Sequence, residues 1–310
     1  MDHKYALVIG INYTGSRQQL RGCVNDAINI RNLLHANRYP RQNIWLMTDN
    51  SKPNMKPTRQ NIQREFERLI KRSNKNNGNT ELFLHYSGHG SYTFDHNNDE
   101  DDRRDELLIP IDYRDNGYIH DDYIHSVLRL LNKKSRLTML FDCCHSGTIA
   151  DIKFQTTIPG KFTIENKRNL PGEIIMYSGC QDLQLSADAY NINQQRKWSG
   201  AMTSSFIRTV KNFTTAKKIG VFETLQKMRE FIKTNHYTQI PQLSSNKKFD
   251  QDRDLFGPKG YIVNQLPKPD PNKPKLSRRE RLRLQRLRRR RNRREKVRKQ
   301  REAERRRRRR

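Results

Sequence analysis

Two apolar runs that each end in a polar, glycine-containing turn constrain the fold of this chain most. Residues 81–86 lead into His-Tyr-Ser-Gly-His-Gly at 85–90, and residues 137–141 lead into Asp-Cys-Cys-His-Ser-Gly at 142–147. Such a run and turn are typical of a buried strand in a parallel α/β sheet, where the carboxyl ends of strands present catalytic side chains. The two turns therefore predict a functional site at one edge of a mainly parallel sheet.

Apolar runs and segments of helical periodicity alternate along most of the chain, as strands and crossover helices do. We expect an α/β fold in which a mainly parallel six-stranded sheet is flanked by helices on both faces. The predicted strands are 5–11, 43–47, 81–86, 107–111 (a short one), 137–141, 173–178 and 239–243, and the predicted helices are 25–36, 58–71, 122–131, 200–210 and 221–234.

The charge of the chain is concentrated after Pro267. The formal net charge is +29, and the residues from Pro267 onward include 24 Lys and Arg but only 5 Asp and Glu. The proline-rich stretch 267–277 predicts a linker, because proline cannot continue a helix or a central strand. The Arg-rich segment 278–310 has too few apolar residues for a core, so we expect it to be disordered or helical only on an anionic partner. Residues 1–266 are then the folded domain.

Four cysteines, two of them adjacent, make a poor disulfide framework for 310 residues and fit a reducing compartment. The start of the sequence has no long apolar segment of a secretory signal, and no later stretch is apolar enough to span a bilayer. We expect an intracellular protein without a membrane span, cytoplasmic or nuclear.

Cysteine and histidine in the two turns indicate nucleophilic catalysis. A cysteine attacks as its thiolate and needs a base within reach; His89 follows one strand, and Cys143 and Cys144 follow the other. The neighbouring glycines let a substrate backbone approach closely, and a backbone N–H such as that of Gly90 can stabilise an oxyanion. Each residue alone more often has a structural role, but at two glycine-flanked strand ends they predict a Cys–His dyad.

These motifs closely resemble those of the metacaspases, cysteine peptidases with a caspase-like α/β fold. The resemblance extends over nearly all of 5–262 and includes further motifs: Gly-Cys-Val-Asn-Asp at 22–26, Tyr-Ser-Gly-Cys at 177–180, Ser-Ala-Asp-Ala at 186–189 and Gly-Ala-Met-Thr at 200–203. It implies that Cys144 is the nucleophile, that His89 is its base and that Cys143 is only a neighbour.

The resemblance also implies how residues 1–266 are organised. We expect a large-subunit-like part at 1–150, a connection at 151–172 that is a candidate for autoprocessing, and a small-subunit-like part at 173–266. This would be a compact, monomeric core without the N-terminal prodomain of some metacaspases. The Arg-rich tail is not a feature of that family.

Two carboxylates are predicted beside the nucleophile. Asp142 precedes the two cysteines and Asp26 begins the helix after the first strand, so both should lie near the carboxyl edge of the sheet. The resemblance implies that they form, with Cys23 and Ser87, the pocket for P1, the residue before the scissile bond. Two partly desolvated carboxylates attract a guanidinium or ammonium group, which predicts cleavage after Arg or Lys. Alternatively, Asp26 caps its helix and Asp142 is a solvated strand-end residue.

Four further aspartates match positions that resemble metacaspase calcium ligands: Asp105, Asp121, Asp122 and Asp151. Carboxylates suit Ca²⁺, a hard cation that takes about six to eight oxygen ligands. The resemblance implies that Ca²⁺ orders loops beside the cleft and activates the peptidase without taking part in the chemistry. The sequence departs from the usual pattern in having Arg103 and Arg104 before the first of these aspartates.

The sequence as a whole predicts a calcium-activated cysteine endopeptidase that cleaves proteins or peptides after Arg or Lys through an acyl-enzyme. The rival hypothesis is a nucleic-acid-binding scaffold with an idle peptidase-like core. It rests on the tail at 278–310, since Arg-rich runs bind nucleic acid or another anionic partner without sequence preference.

Overall fold

The structure is a computed structural model that describes residues 3–94, 104–143, 150, 152–158, 161–164, 169–179, 188–190, 198–212, 219–237, 239–248 and 253–256. All of these residues lie in the unit Met1–Leu266. The predicted linker and Arg-rich tail lie outside the described residues, as do Cys144 and Asp151.

The described residues form thirteen strands and six α-helices. The strands are β1 Lys4–Gly10, β2 Ile44–Thr48, β3 Glu81–Ser87, β4 Gly90–Phe94, β5 Arg104–Leu108, β6 Ile119–His120, β7 Arg136–Asp142, β8 Phe154–Ile158, β9 Lys161–Ile164, β10 Glu173–Ser178, β11 Asp188–Tyr190, β12 Trp198–Gly200 and β13 Gln242–Ser245. The helices are α1 Cys23–Ala36, α2 Arg59–Lys71, α3 Tyr113–Asn116, α4 Asp121–Leu128, α5 Ala201–Asn212 and α6 Val221–Thr234.

Within the described part of the chain, eight strands form the main sheet, in the order β2-β1-β3-β7-β10-β13-β8-β9. The first five are parallel, and β13, β8 and β9 are antiparallel to their neighbours. The α/β fold and the six predicted sheet strands are confirmed. The sheet is wider than predicted because two strands from the connection at 151–172 extend it: β8 pairs with β13, and β9 pairs with β8. The run at 107–111 overlaps β5, which belongs to a separate sheet of order β4-β5-β6.

The alternation of side chains along the central strands produces two apolar layers. Leu7 and Ile9 of β1 face one layer, which includes apolar residues of α2 and α4. Ala6 and Val8 face the other, which includes apolar residues of α1, α5 and α6. Both faces of the sheet are thus covered, which is why its strands are nearly continuous apolar runs. Among the described helices, none is long and apolar enough to cross a membrane.

The carboxyl ends of the central strands are aligned. Gly10 of β1 lies opposite Ser87 of β3, and Ser87 lies opposite Asp142 of β7. The first turn of α1 packs closely onto this edge, since a Cβ on Gly10 would lie 2.2 Å from the Cys23 carbonyl oxygen. The turns after β1, β3 and β7 therefore begin side by side.

Candidate active site

The strand ends that precede the predicted base and nucleophile are neighbours. His89 lies two residues after Ser87, and Cys144 lies two residues after Asp142, its in-register partner. The Gly88 N–H donates to the Asp142 carbonyl oxygen at 3.4 Å. Adjacent strands are about 4.8 Å apart, so the two chain segments leave the sheet within reach of each other. Cys144 itself lies outside the described residues, and its role stays a prediction.

The imidazole of His89 is held in one tautomer. His89 is half-buried, and its Nε2 lies 2.7 Å from the carbonyl oxygen of Gln18. A carbonyl oxygen can only accept a hydrogen bond, so Nε2 carries the proton and Nδ1 of the neutral ring holds the lone pair. The ring of Tyr13 packs against the imidazole, with centroids 4.8 Å apart. Nδ1 is therefore the nitrogen that can act as a base.

Cys143 and Gly90 occupy positions that fit their predicted roles without testing them. Cys143 is completely buried in the apolar layer that contains Tyr13, Tyr86 and Phe141. A side chain enclosed in this way cannot reach a substrate, which fits a neighbour of the nucleophile. Gly90 begins β4 opposite Leu108, and its part in an oxyanion hole stays a prediction.

Asp26 is completely buried, and its carboxylate accepts three hydrogen bonds from donors on two strands, β3 and β12. Its Oδ2 accepts hydrogen bonds from the Ser87 hydroxyl at 3.0 Å and the Gly200 N–H at 2.9 Å, and its Oδ1 accepts one from the Ser199 hydroxyl. The helix α1 begins after Gly22 without a side-chain cap. Asp26 therefore does not cap its helix, and that alternative is wrong.

Asp142 is also buried, at the start of α5. Its Oδ2 accepts the Thr203 N–H at 2.7 Å, an arrangement that the positive end of the α5 dipole favours. A Cβ on Gly200 would lie 2.1 Å from Oδ2 of Asp142 and 2.9 Å from Oδ2 of Asp26. The two carboxylates thus converge on this glycine, and only glycine leaves room for both. The alternative of a solvated Asp142 is wrong as well.

The proximity of the two carboxylates changes the protonation of Asp26. Burial and the nearby carboxylate of Asp142 raise the pKa of Asp26 to about 8, although hydrogen bonds from Ser199, Gly200 and Ser87 oppose this effect. Near neutral pH the pair therefore holds one proton and about one negative charge. A cationic side chain is the natural complement of such a pair. Cys23, the fourth predicted pocket residue, is buried at the start of α1.

His85 supports this cluster from the sheet. Its Nε2 lies 3.2 Å from the hydroxyl of Thr203. The backbone N–H of Thr203 in turn donates to the carboxylate of Asp142. Burial lowers the pKa of His85 to about 3, so its imidazole is neutral. His85 begins the motif at 85–90, but the sequence indicates no role for it, and no sequence signal indicates Gln18 or Ser199. Thr203 ends the motif at 200–203, which likewise carries no predicted role.

Two of the four predicted calcium ligands are described. Asp121 and Asp122 lie in the first turn of α4, and the carboxylate of Asp121 accepts the Glu106 N–H at 2.6 Å and the Asp122 N–H at 2.8 Å. The strand that carries Asp105 is therefore tied to these residues. The side chain of Asp105, like the whole of Asp151, lies outside the described residues. Among the side chains that are described, no three His, Cys, Asp or Glu form a metal-binding group.

Comparisons with known proteins agree with the motifs. The family described as metacaspase, peptidase C14 domain, matches residues 4–153. The chain is 32% identical over 295 residues to metacaspase-1B of Aspergillus fumigatus, covering 79% of this chain and 70% of that protein. It is 34% identical over 298 residues to metacaspase-1 of Saccharomyces cerevisiae, covering 79% of this chain and 67% of that protein. It is 33% identical over 298 residues to metacaspase-1A of Neurospora crassa, but spans only 63% of that protein.

A solved structure shares the fold. The crystal structure of protein GSU0716 from Geobacter sulfurreducens superposes with a TM-score of 0.54 and 23% identity, and the match covers 82% of this chain and 98% of that one. At this identity the similarity concerns the arrangement of strands and helices alone.

Proposed function

The chain belongs to the metacaspase family of cysteine peptidases, and from this premise we propose that it is an endopeptidase in which His89 activates the thiol of Cys144. The observation that carries the proposal is the register of β3 and β7, which pairs Ser87 with Asp142 two residues before each proposed catalytic residue. The hydrogen bond from Nε2 of His89 to Gln18 supports it, because it leaves Nδ1 as the base.

The reaction follows from these roles. Nδ1 of His89 takes the proton of the Cys144 thiol, and the thiolate attacks the scissile carbonyl carbon. A backbone N–H, for which we propose that of Gly90, stabilises the oxyanion. The imidazolium then protonates the leaving amine as the C–N bond breaks and a thioester forms. His89 then takes a proton from a water molecule, and the resulting hydroxide attacks the thioester carbonyl carbon. The C–S bond breaks, the carboxylic acid product leaves, and the imidazolium returns its proton to the thiolate of Cys144.

We propose that the pocket formed by Asp26 and Asp142 selects Arg or Lys at P1. The pair carries about one negative charge near neutral pH, and Ser199 and Gly200 donate hydrogen bonds to Asp26. A guanidinium can donate two parallel hydrogen bonds to carboxylates, and an ammonium can offset the same charge. A P1 aspartate would place a third carboxylate beside this pair and would be repelled.

We propose that Asp105, Asp121, Asp122 and Asp151 bind an activating Ca²⁺. The buried carboxylate of Asp121, fixed by two backbone N–H groups, is preorganised to supply oxygen ligands. When bound, the ion would neutralise the repulsion among these aspartates and order the segments that carry them. It would have no part in proton transfer at His89.

The test is hydrolysis of peptides with Arg, Lys or Asp at P1, with calcium and with a chelator. We expect calcium-dependent turnover of the Arg and Lys peptides alone. Cys144→Ala should abolish it, and the matched variant Cys143→Ala should retain it. Absence of turnover by the purified protein in calcium would contradict the proposal. Activity that survives Cys144→Ala but not Cys143→Ala would show that Cys143, not Cys144, is the nucleophile.

A second role rests on the charge after Pro267, where 24 Lys and Arg oppose 5 Asp and Glu. We propose that residues 278–310 bind nucleic acid through its phosphates. Binding should weaken steeply with salt, show no sequence preference and disappear when residues 267–310 are deleted. Turnover of short peptides should survive that deletion; an idle core would instead leave nucleic-acid binding as the main activity.

A further inference from the structure

Tyr13, in the loop between β1 and α1, has a backbone conformation that bulky residues rarely adopt. Its φ is +52°, in the left-handed region that favours glycine. Such a conformation costs free energy and persists only where the surroundings enforce it, which is most common at functional sites. Tyr13 is also buried and packs against the imidazole of His89.

Asp49 enforces the conformation of this loop. It follows β2 and is buried, and its carboxylate accepts the N–H groups on both sides of Tyr13. The Asn12 N–H donates to Oδ1 at 2.7 Å, and the Thr14 N–H and hydroxyl donate to Oδ2 at 3.0 and 3.2 Å. The same loop carries Gln18, whose carbonyl oxygen accepts the proton on Nε2 of His89.

Two tyrosine hydroxyls join the backbone of His89 to that of Ile109. The hydroxyl of Tyr13 accepts the His89 N–H at 3.0 Å and donates to the Ile109 carbonyl oxygen at 2.6 Å. The hydroxyl of Tyr86 accepts the Ile109 N–H at 3.2 Å and donates to the His89 carbonyl oxygen at 2.9 Å. Both backbone groups of His89 are therefore bound by buried hydroxyls.

These hydroxyls stay neutral across the range in which a cysteine peptidase works. Burial raises the pKa of Tyr13 and that of Tyr86 well above the usual value for tyrosine. The hydrogen bonds that they make therefore do not weaken by ionisation. The loop at 88–90 has a pH-independent support on one side and the Gln18 carbonyl on the other.

We propose that Tyr13, Tyr86 and Asp49 are positioning residues for His89: the tyrosines hold its backbone, and Asp49 holds the loop that carries Tyr13 and Gln18. This inference rests on the proposed peptidase function and adds residues that do not touch the substrate. Asp49 acts only through the loop. The three residues together keep Nδ1 of His89 in place and Nε2 protonated.

The variant Tyr13→Phe tests the proposal because it keeps the ring and removes only the hydroxyl. Its matched control is Tyr177→Phe, since Tyr177 is equally buried and donates to the Val221 carbonyl oxygen at 2.8 Å. We expect kcat for an Arg peptide to fall about tenfold or more in Tyr13→Phe with KM little changed, because a displaced base slows the chemical step. Asp49→Asn should lower kcat in the same way. Equal kcat in Tyr13→Phe and Tyr177→Phe would overturn the inference.

A second measurement does not depend on turnover. In ¹⁵N-labelled protein, the imidazole of His89 should give the signals of a single Nε2–H tautomer in the wild type and in Tyr177→Phe. In Tyr13→Phe and Asp49→Asn the same ring should show exchange between tautomers. An inactive wild type with these signals would refute the proposed function alone, whereas an unchanged tautomer in both variants would refute the positioning role alone.

Discussion

Two groups of residues at the carboxyl ends of β1, β3 and β7 are fixed by different kinds of interaction. On the side of Tyr13 and Tyr86, His89 is fixed by neutral hydroxyls and a backbone carbonyl. On the side of α1 and α5, the buried carboxylates of Asp26 and Asp142 converge on Gly200, and burial and the charge of Asp142 raise the pKa of Asp26 to about 8. If His89 is the base and the two carboxylates bind the P1 side chain, as we propose, the base is supported by groups insensitive to pH, whereas P1 recognition should depend on pH. Catalysis and specificity should therefore respond separately to mutation.

The largest effect is expected for Asp142→Asn. Truncating one charge of a buried, hydrogen-bonded pair costs about 2–5 kcal/mol, so kcat/KM for the Arg peptide should fall by about 30-fold or more, mainly through KM. The reaction of Cys144 with iodoacetamide, which needs no P1 contact, should keep its rate. Asp112→Asn is the control, because Asp112 likewise accepts a backbone N–H, from Arg59 at 2.8 Å. If Asp142→Asn slowed the alkylation of Cys144 as much as it lowers kcat/KM, catalysis and P1 recognition would not be separable.

Gly200→Ala should have the next largest effect. Its Cβ would meet Oδ2 of Asp142 at 2.1 Å, so one carboxylate has to move, and overpacking of this kind costs about 1–3 kcal/mol. We expect KM for the Arg peptide to rise at least tenfold and the unfolding temperature to fall. Gly117→Ala is matched for stability, because Gly117 has φ +75° and open space around it. Gly117→Ala should lower the unfolding temperature but leave KM unchanged. Equal KM values in Gly117→Ala and Gly200→Ala would contradict this placement of the pocket.

The pH dependence of KM should sharpen the comparison. Below about pH 8 Asp26 is protonated, so a P1 cation has to displace that proton, and KM should rise by at most about tenfold per pH unit as the pH falls. Stability should also rise as the pH falls, so it changes opposite to the affinity for the P1 side chain. A carboxyl whose pKa is raised on folding stabilises the native state fully below its ordinary pKa and loses this contribution as the pH rises through about 8. Both trends can be checked by measuring KM and the free energy of unfolding between about pH 6 and about pH 9. A KM independent of pH would count against a proton held by Asp26.

The smallest effect is expected for Ser87→Ala. The Ser87 hydroxyl donates to Asp26 and lowers its pKa, so its loss should raise that pKa further. The midpoint of the pH dependence of KM should move up, and KM at pH 7 should rise about threefold, since two other donors to Asp26 remain. Ser126→Ala, which removes an exposed helix hydroxyl that donates to the Tyr123 carbonyl oxygen, serves as the control. A downward shift of the midpoint would show that the hydroxyl does not stabilise the charged form.

The sequence predicted the parts of the molecule that carry strong local signals. β1, β3 and β7 are buried on both faces and read as continuous apolar runs, and α2 lies within the predicted helix 58–71, with the side chain of Thr58 as its N-cap. In contrast, β8 has the mixed sequence Phe-Gln-Thr-Thr-Ile and becomes a strand by pairing with β13. No local pattern indicates such a partner.

The candidate site follows the same rule. Asp142 was predictable because it directly precedes the two cysteines, and Asp26 because the motif at 22–26 resembles that of the metacaspases. The carbonyl oxygen of Gln18 was not, because every residue has one and only the fold selects it. The positive φ of Tyr13 is likewise a consequence of tertiary structure. So are the hydrogen bonds that the Asp49 carboxylate accepts from the N–H groups of Asn12 and Thr14.

The central claim is that His89 and Cys144 meet at the strand ends beside an acidic P1 pocket. Its most direct test is to treat the protein, in calcium, with an Arg-containing peptide chloromethyl ketone and to map the modified residue by mass spectrometry. The account predicts a single adduct on Cys144 that forms much more slowly in His89→Ala and in Asp142→Asn. An adduct on Cys143 or Cys23, or one on Cys144 that forms at the same rate without His89, would contradict it.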